Sequence, residues 1–308
     1  MSDSRVLSYN FDYFEPATLE TALDLIKKKG SRIIAGGSDL LVQMKTGNVQ
    51  PQALVNILGL KELDFISLDG KGNGEGNGKG LEIGAAAQLY KIEENDRIKN
   101  HYTALFEAVK CLGSTQIRNM ATMAGNICNA SPGADTLPPL IVFGAEAVIR
   151  KLNGQGAIAE RRVAAANFCT APGTTVLTEG EMVTAIVIPP PGEGSGSAFK
   201  RLSRVTLDLA KISCALYLER RGETCTAVRV AIGAAAPTVI RARLVEEALA
   251  GKKISKKLLS ESAALVTGNI SPITDIRSTG QYRNQVAPVL IADTFEQAWQ
   301  RSGGKVLS

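Results

Sequence analysis

The amino-acid sequence predicts an α+β protein, and three observations support this fold class. Strand-like and helix-like segments alternate over residues 1–60, short strands dominate residues 61–190, and three strand candidates followed by three helices fill residues 195–308. Hydrophobic residues make up 44% and charged residues 21% of the 308 residues, as in globular proteins with a substantial core. At about 100–200 residues per domain, this length predicts two domains or three small ones.

The segment 1–60 is predicted to form a small α/β unit with parallel strand pairing. A helix begins after residues 16–18, and its apolar residues recur on one face until Gly30 ends it. The run RIIAGGSDLL then predicts a short strand, a glycine turn and a second helix with Ser38 as its N-cap. ALVNI, residues 53–57, completes the unit as a buried strand.

The segment 61–190 is predicted to form a mostly antiparallel α+β domain. LEIGAAAQL predicts a strand that runs into small residues, a helix follows near 102–112 with His101 in its first turn, and residues 140–150 are strand-like. The glycine-rich stretch GKGNGEGNGKG, residues 70–80, predicts a mobile hairpin tip or loop. A phosphate-binding loop is not favoured there, because neither a strand-to-helix transition nor the usual Lys-Ser or Lys-Thr pair follows.

The segment 195–308 is predicted to form a separate α+β domain. PPPGEGSGS, residues 189–197, ends a strand with three prolines and continues into a Gly/Ser run, so we place a domain boundary there. AFKRLSRV, ISCALYLERR and CTAVRVAIGA predict a three-stranded sheet, and helices near 239–250, 255–267 and 284–301 predict a helical bundle.

The histidine and cysteine content excludes several chemistries. His101 is the single histidine, whereas catalytic zinc needs about three protein ligands and a Ser-His-Asp site would have to use His101 itself. The five cysteines include no CxxC pair, so neither an iron–sulfur nor a zinc site is indicated on this chain. We therefore predict no metal site and name no catalytic acid or base.

Charge and hydropathy narrow the class further. The formal net charge of +5 is spread out and forms no basic stripe with aromatic residues, so nucleic-acid binding is not indicated. No apolar run approaches the ~18–20 residues of a membrane span. The segment MSDSRVLSYNFDYF lacks a basic stretch followed by an apolar one, so we expect no secretory signal and a cytoplasmic protein.

Two glycine-containing turns are the candidate binding elements. In IIAGGSDLL a strand runs into Gly36 and Gly37 and then into a helix start, where unpaired backbone N–H groups suit a phosphate. In TMAGNICNASPGAD the small residues around Gly125 leave room for a flat or extended ligand, and hydroxyl, amide and carboxylate groups suit a ribityl chain, a ribose and a pyrophosphate. Each turn alone has a simpler interpretation, a tight turn or a close-packed corner of the core, and the GxGxxG order of a Rossmann site is absent.

Four segments together resemble a known family. AGGSDLL, IGAAAQL, IRNMATMAGNICNASPGAD and FKRLSRVTLDLAKIS resemble, in order and spacing, the FAD-binding medium subunit of molybdenum hydroxylases such as xanthine dehydrogenase and carbon monoxide dehydrogenase. The resemblance covers nearly the whole chain, and its central block is the most specific part. It implies the FAD-binding fold of the p-cresol methylhydroxylase/vanillyl-alcohol oxidase type, with FAD-binding subdomains at 1–60 and 61–190 and a C-terminal domain at 195–308 covering the flavin.

The resemblance also implies a set of cofactor-binding residues. The pyrophosphate would be wrapped by the first glycine turn, the rest of the cofactor would be contacted by the second, an apolar residue would lie against the isoalloxazine ring, and a lysine would lie near the flavin edge. The residues implied for the pyrophosphate are Ala35, Gly36, Gly37, Ser38 and Asp39, with Ile33, Ile34 and Leu40 alongside. Those implied for the rest of the cofactor are Thr122, Ala124, Gly125, Asn126 and Asp135, with Ala121 and Cys128 beside them. The apolar residue at the isoalloxazine ring would be Val183, and the lysine near the flavin edge would be Lys200. Cys128 is interpreted as a small filler beside FAD, with a reactive thiol as the alternative.

Two departures from the family pattern affect these expectations. The second motif commonly has two glycines, whereas Ala124 precedes Gly125 here, so its backbone conformation must suit an alanine. The cysteine-rich insertion of the hydroxybenzoyl-CoA reductase branch is absent. Because His101 lies outside both glycine turns, we expect non-covalent FAD.

The resemblance implies an electron-transfer function. A large partner subunit with a molybdenum cofactor would oxidise the substrate, and a small subunit with two 2Fe-2S clusters would pass electrons to FAD on this chain and then to NAD or another acceptor. The three subunits would form a heterotrimer that pairs into a dimer. The alternatives are a stand-alone flavin oxidase or reductase, and a non-catalytic binding subunit that has lost FAD.

Three further groups of residues have competing interpretations. Arg118 would contact either a phosphate or partner, or a structural carboxylate. Asp208 and Lys211 would either shape the acceptor site or form a solvated pair. Phe295 and Trp299 are predicted to anchor the helical bundle rather than to stack on flavin.

Overall fold

The computed structural model describes residues 7, 9–70 and 80–307, and the fold is divided by its sheets into three regions. Most of the glycine-rich stretch at 70–80, for which we predicted a mobile tip, lies outside the described residues. Within the described ranges, no helix is long and apolar enough to cross a membrane.

The first region is a three-stranded parallel sheet with two helices. Its elements are β1 (Asp12–Phe14), α1 (Leu19–Ile26), β2 (Ser31–Ile34), α2 (Leu40–Lys45) and β3 (Ala53–Asn56). The sheet order is β1-β3-β2, so the predicted parallel pairing is confirmed. The Thr18 hydroxyl caps α1 by accepting a hydrogen bond from the Thr21 N–H, and the apolar face of the helix is buried.

The prediction that Ser38 is the N-cap of the second helix is wrong. Helix α2 begins at Leu40, and the residue before it, Asp39, makes no side-chain capping bond within the described structure. The Leu41 N–H, one of the groups that an N-cap at Ser38 would serve, instead donates to the Gly37 carbonyl at 3.0 Å. The Gly37 carbonyl therefore accepts the hydrogen bond from the Leu41 N–H that we had assigned to the Ser38 side chain.

The second region is built on a five-stranded antiparallel sheet. Its elements are β4 (Ile66–Gly70), β5 (Gly80–Gly84), α3 (Leu89–Glu93), α4 (Asp96–His101), α5 (Thr103–Cys111), α6 (Thr115–Arg118), α7 (Met123–Cys128), α8 (Leu137–Phe143), β6 (Glu146–Leu152), β7 (Ile158–Ala164), β8 (Cys169–Ala171), β9 (Thr174–Thr175) and β10 (Met182–Ile188). The order is β4-β5-β10-β6-β7, and β8 pairs with β9 separately. The antiparallel pairing is as predicted, but His101 is the last residue of α4 rather than part of the helix that follows.

The strand expected over residues 140–150 begins only at Glu146, because Leu137–Phe143 form helix α8. Two prolines occupy the first turn of α8, and Gly144, with φ of 72°, ends it. All seven residues of the helix are buried. A helix that is apolar all round carries no 3.6-residue periodicity, so its sequence looks like a buried strand.

The third region is a C-terminal sheet with three helices on one face. Its elements are β11 (Ser195–Leu202), β12 (Ile212–Arg221), β13 (Thr224–Gly233), β14 (Ile240–Arg241), α9 (Arg243–Leu249), β15 (Lys252–Lys253), α10 (Lys256–Ala264) and α11 (Gly280–Arg301). The sheet is antiparallel in the order β11-β12-β13-β14, and β15 also pairs with β13. The prediction of three strands is therefore corrected to five, because two-residue strands are too short to show alternation.

Both faces of the C-terminal sheet are buried. Leu216 of β12 packs with α9–α11, whereas its neighbour Tyr217 joins the core of the first two regions. Tyr217 contacts Phe143 of α8 with ring centroids 5.6 Å apart. Phe295 and Trp299 stack within the helical side at 5.9 Å, which confirms their predicted role as anchors of the bundle.

A charged cluster fastens the third region to the second. The Glu107 carboxylate on α5 accepts hydrogen bonds from the Phe199 N–H of β11 at 2.8 Å and from the Arg301 guanidinium of α11 at 3.0 Å. Arg301 also donates to the Ser197 carbonyl at 2.9 Å. These bonds fix the position of β11, which continues into the loop beside the candidate site.

Candidate cofactor site

The two glycine turns lie against each other. A Cβ atom at Gly36 would collide with the Met120 carbonyl and would lie 2.7 Å from the Ala121 nitrogen. The Gln43 amide on α2 also donates to the Asn129 side-chain carbonyl after α7 at 3.0 Å. The structure thus joins elements that are more than 80 residues apart into one cradle, defined here as residues 33–40 and 121–128.

The first half of the cradle follows β2. Ile34 and Gly36 are buried, Ile33, Ala35, Gly37, Ser38 and Leu40 are half-buried, and Asp39 is exposed. Gly37 has a φ of 69°, which favours glycine, and its turn directs the chain into α2. The segment therefore presents the backbone around residues 37–39 toward solvent, as the anion-binding interpretation requires.

The second half of the cradle is the start of α7. Ala121, Thr122 and Ala124 are buried, Asn126 and Cys128 are half-buried, and Gly125 is exposed. The Thr122 hydroxyl caps the helix by accepting from the Gly125 N–H at 3.0 Å. Because Ala124 lies inside the helix, its methyl group is tolerated without a left-handed backbone, and the departure from two glycines is explained.

Neighbouring segments support this second half. Leu89 N–H donates to the Ala121 carbonyl at 2.9 Å, so the IGAAAQL segment borders the cradle. The Asn126 side-chain carbonyl accepts from the Thr136 hydroxyl at 2.6 Å, which ties α7 to the start of α8. Asn126 therefore has a structural partner in addition to any ligand.

Asp135 is buried and paired with an arginine that we did not select from the sequence. Asp135 Oδ2 lies 2.6 Å from Nη1 of Arg201, and the two side chains are only 4% and 7% exposed. Burial raises the pKa of Asp135 to about 6, although Arg201 opposes this shift. Among the described residues, Asp135 Oδ1 is buried and has no hydrogen-bond partner.

A pocket of about 630 Å³ opens between α5, α11 and the end of β11. Lys200, Arg201 and Arg204 line it, with Asp293 of α11 on the other side. Of the sequence-predicted residues that are described, Lys200 lines this pocket and the cradle residues do not. Val183 is a buried residue of β10, 3% exposed, and its contact with the flavin ring stays a prediction.

The remaining candidates have structural surroundings. Burial raises the pKa of the Cys128 thiol to about 12, so it stays protonated at neutral pH and a reactive thiol is not favoured. Arg118 is buried and pairs with Glu93 at 2.6 Å, which supports its structural interpretation. Asp208 pairs with Arg204 at 3.2 Å, and the Lys211 ammonium lies 5.8 Å from the centre of the Tyr282 ring.

Arg201 was missed because its partner is 66 residues away in the sequence. A strand residue next to Lys200 carries no local signal that distinguishes a buried ion pair from a solvated charge. A buried aspartate such as Asp135 needs a cation or hydrogen-bond donors nearby, but the sequence shows neither its burial nor which cation would pair with it. The described ranges contain no group of three or more His, Cys, Asp or Glu side chains that could hold a metal ion.

Comparison with known families decides the relationship. Residues 9–191 match the FAD binding domain in molybdopterin dehydrogenase, and residues 197–298 match the CO dehydrogenase flavoprotein C-terminal domain. The chain belongs to this FAD-binding family of molybdopterin dehydrogenases. The family membership inferred from the four sequence segments is thereby confirmed.

Individual members of the family align over almost their full length. The chain is 30% identical to the putative xanthine dehydrogenase FAD-binding subunit XdhB of Escherichia coli K12, over 96% of this chain and 98% of that protein. It is 29% identical to the glyceraldehyde dehydrogenase medium chain of Sulfolobus acidocaldarius, over 93% and 98% of the two chains. The structure of a carbon monoxide dehydrogenase chain from Hydrogenophaga pseudoflava matches with a TM-score of 0.87 and 29% identity, over 95% and 98%.

The residues of this family member fit an FAD cofactor. The joined glycine turns have backbone groups of the kind that suits a phosphate, and Gly125 is exposed. A Cβ at Gly125 would lie 3.1 Å from the Thr122 hydroxyl oxygen, a close contact that glycine avoids. The unpartnered Asp135 Oδ1 is a buried acceptor that lacks a donor. A buried acceptor of this kind is expensive unless a ligand or water supplies its hydrogen bond.

Proposed function

We propose that this chain is the FAD-binding electron-transfer subunit of a molybdenum hydroxylase complex. The observation that carries the proposal is the contact between Gly36 and the Met120–Ala121 backbone, which makes one cradle from two distant anion-binding turns. Near full-length similarity to FAD-binding and medium subunits supports the same assignment. The proposed fold is of the p-cresol methylhydroxylase/vanillyl-alcohol oxidase type, with subdomains at 1–60 and 61–190 and a covering domain at 195–308.

In this proposal, the cradle and the neighbouring pocket hold non-covalent FAD. Residues 35–39 bind its pyrophosphate, residues around Thr122–Asn126 bind its sugar portion, and Asp135 accepts a hydrogen bond from it. When bound, FAD supplies one- and two-electron transfer chemistry that no side chain of the protein supplies. The protein binds, orients and tunes the cofactor.

Lys200 and Arg201 set the electrostatics of the pocket. Both line it, and both are permanently cationic at neutral pH, so they favour negative charge that develops within it. Arg201 is partly neutralised by Asp135, whereas Lys200 on the same strand supplies net positive charge. The pocket therefore favours a reduced, more negative cofactor over an oxidised one.

The proposed partners are a large subunit with a molybdenum cofactor and a small subunit with 2Fe-2S clusters, assembled as a heterotrimer that pairs into a dimer. The medium-chain names of the relatives support a multi-subunit complex. We also propose NAD as an acceptor to be tested, since, among the described residues, three cationic side chains against two carboxylates line the pocket and leave a small positive excess that suits an anionic acceptor.

The first experiment is an absorbance spectrum of the purified chain, before and after anaerobic NADH addition. Flavin absorbance at ~450 nm, together with release of the flavin into solution when the protein is precipitated with acid, would support non-covalent FAD. Bleaching by NADH would support NAD as the acceptor, whereas unchanged flavin would exclude direct reaction of the isolated subunit with NADH. A folded, colourless protein that cannot be reloaded with FAD would overturn the proposal in favour of a binding subunit.

A variant at Gly125 tests the cradle itself. Gly125→Leu places a side chain on the exposed side of α7, so we expect FAD content to fall roughly tenfold or more. Its Cβ would lie 3.1 Å from the Thr122 hydroxyl oxygen, so urea unfolding is measured alongside to separate loss of binding from loss of stability. The matched control is Gly154→Leu in the β6–β7 turn, where no described residue lies within 4 Å of an added Cβ. Equal FAD content in both variants would contradict the assignment of the cradle.

A further inference from the structure

Arg201 joins two parts of the site that are otherwise separate. Through Nη1 it contacts Asp135 Oδ2 at 2.6 Å, and through Nη2 it donates to the Thr206 carbonyl at 2.5 Å. Thr206 belongs to the loop 203–209 that lines the pocket. One guanidinium therefore holds a buried carboxylate and an exposed loop at the same time.

The carboxylate end of this link is half-satisfied. Asp135 Oδ2 is paired with Arg201, whereas Oδ1 is buried without a partner among the described residues. A buried carboxylate oxygen that lacks a donor needs one from a ligand group or a water, and the proposed cofactor would supply it. It accepts such a bond at full strength only while the carboxyl group is ionised.

The loop end of the link has few other anchors. Lys211 N–H donates to the Leu202 carbonyl at 2.7 Å and closes the base of the loop. Between these residues Val205 and Leu207 are 60% and 63% exposed, so the loop does not contribute to the core. The bond to the Thr206 carbonyl is therefore a substantial part of what holds the middle of the loop beside the pocket.

We propose that Arg201 is a positioning residue of the cofactor site: it keeps Asp135 ionised with one oxygen free for the cofactor, and it couples that carboxylate to the loop 203–209. This inference rests on the proposed FAD-binding function and adds to it a residue that acts through Asp135 rather than on the cofactor. Lys cannot replace both roles of Arg201, because an ammonium carries the charge but lacks the planar fork that reaches two acceptors.

The groups around Asp135 identify Arg201 as the cation that controls it. Arg201 of β11 contacts Asp135 directly, and Cys111 of α5 lies near both of them. Lys200, Glu107 and Asp293 line the pocket that Arg201 also lines, whereas Asp135 does not line it. Burial raises the pKa of Cys111 to about 12, so that thiol is neutral over the range tested. Burial raises the pKa of Asp135 and Arg201 opposes this rise, so without Arg201 the pKa would move above its value of about 6.

The test measures FAD dissociation constants of the full chain between about pH 5.5 and 8.5, by quenching of flavin fluorescence. In the wild type we expect affinity to weaken as the pH falls through about 6, where Asp135 becomes protonated. In Arg201→Gln the midpoint of this transition should move upward by about one pH unit or more. Asp135→Asn should bind more weakly, with this transition absent.

The loop role needs a separate readout and matched controls. In Arg201→Lys we expect a midpoint within about half a pH unit of the wild type, but faster chymotryptic cleavage after Leu207, because the bond to Thr206 is lost. Arg201→Gln should be cleaved equally fast. The control Arg221→Gln removes the same charge from an exposed position at the end of β12 and should change neither property.

The outcomes separate this inference from the proposed function. A wild-type chain that is folded but does not bind FAD would overturn the proposed function. Wild-type binding with the same pH midpoint in Arg201→Gln, or equal upward shifts in Arg201→Lys and Arg201→Gln, would overturn the role of Arg201 alone. If Arg201→Gln fails to fold by circular dichroism, Arg201→Lys still decides the loop role, since unchanged cleavage would contradict it.

Discussion

Gly36 and Gly125 both belong to the cradle, but the chain requires glycine at these positions for different reasons. At Gly36 a side chain would collide with the backbone of Met120 and Ala121, so this glycine permits the two halves to touch. At Gly125 a Cβ would lie 3.1 Å from the Thr122 hydroxyl oxygen, and the exposed position would leave room for the proposed ligand. One residue builds the cradle, and the other keeps it accessible.

Gly36→Ala should therefore lower stability as well as FAD affinity. The methyl group would meet backbone atoms that cannot rotate away, and we expect the free energy of unfolding to fall by about 1–3 kcal/mol, the cost of overpacking. Urea unfolding measures this change. Gly59→Ala is the control, since nothing among the described residues lies within 4 Å of its added methyl group, and a loss of similar size there would contradict the explanation.

At this scale the sequence predicted the glycine turns, but not their contact. The small residues and polar groups near Gly125 are neighbours in the sequence, so the sequence alone indicates a candidate binding segment there. The pair Asp135–Arg201 and the contact of Gly36 with Met120 depend on how distant segments fold together. The predicted role of Val183 stays a prediction, because an apolar strand residue looks identical in the sequence whether it faces a ligand or the core.

The segment before α11 carries a cluster of polar contacts around Asp275. Asp275 accepts hydrogen bonds from the backbone N–H groups of Arg277 and Ser278 and from the Arg283 guanidinium at 2.6 Å. Burial alone would raise the pKa of Asp275, but these three donors outweigh it and lower the pKa to about 2. Arg283 also donates to the Ala234 carbonyl at 2.8 Å, so the segment is fastened to the end of β13.

Asp275→Asn should destabilise the protein in a pH-dependent way. The folded-state pKa lies below the unfolded value of about 3.9, so the ionised carboxylate stabilises the fold above that value, and this contribution is lost as the pH falls toward 2. We expect a loss of about 2 kcal/mol at pH 7 and less than half of it at about pH 2.5. Chemical unfolding at both pH values measures the difference, and a loss that is independent of pH would contradict this origin.

Helices and strands with one buried face were predicted well from the sequence. Those that are buried on all sides, or hardly buried at all, were predicted poorly. Helix α1 has a clear apolar face, and its residues are buried as expected. Helix α8 is buried all round, so its sequence lacks the periodicity that separates a helix from a strand. Strands β14 and β15 are too short to show any pattern, and only their pairing with β13 reveals them.

At the scale of the whole molecule, the junction between β11 and the FAD-binding regions depends on Glu107. Glu107→Gln keeps the shape of the side chain but removes the charge that receives the Phe199 N–H and the Arg301 guanidinium. We expect a loss of about 1–3 kcal/mol in the free energy of unfolding, and weaker FAD binding because β11 carries Lys200 and Arg201. The control is Glu261→Gln on α10, an exposed position whose 3.9 Å ion pair with Lys257 contributes little.

The C-terminal sheet, buried on both faces, has a consequence for how the molecule can move. Because Tyr217 belongs to one core and Leu216 to the other, the third region cannot swing away like a hinged lid without exposing apolar surface on a strand shared by both cores. We therefore expect the FAD-binding and C-terminal regions to unfold in a single cooperative transition. An electron acceptor would then enter the pocket only when the loop 203–209 opens locally. The rate of these openings would limit how quickly the acceptor reaches the proposed flavin.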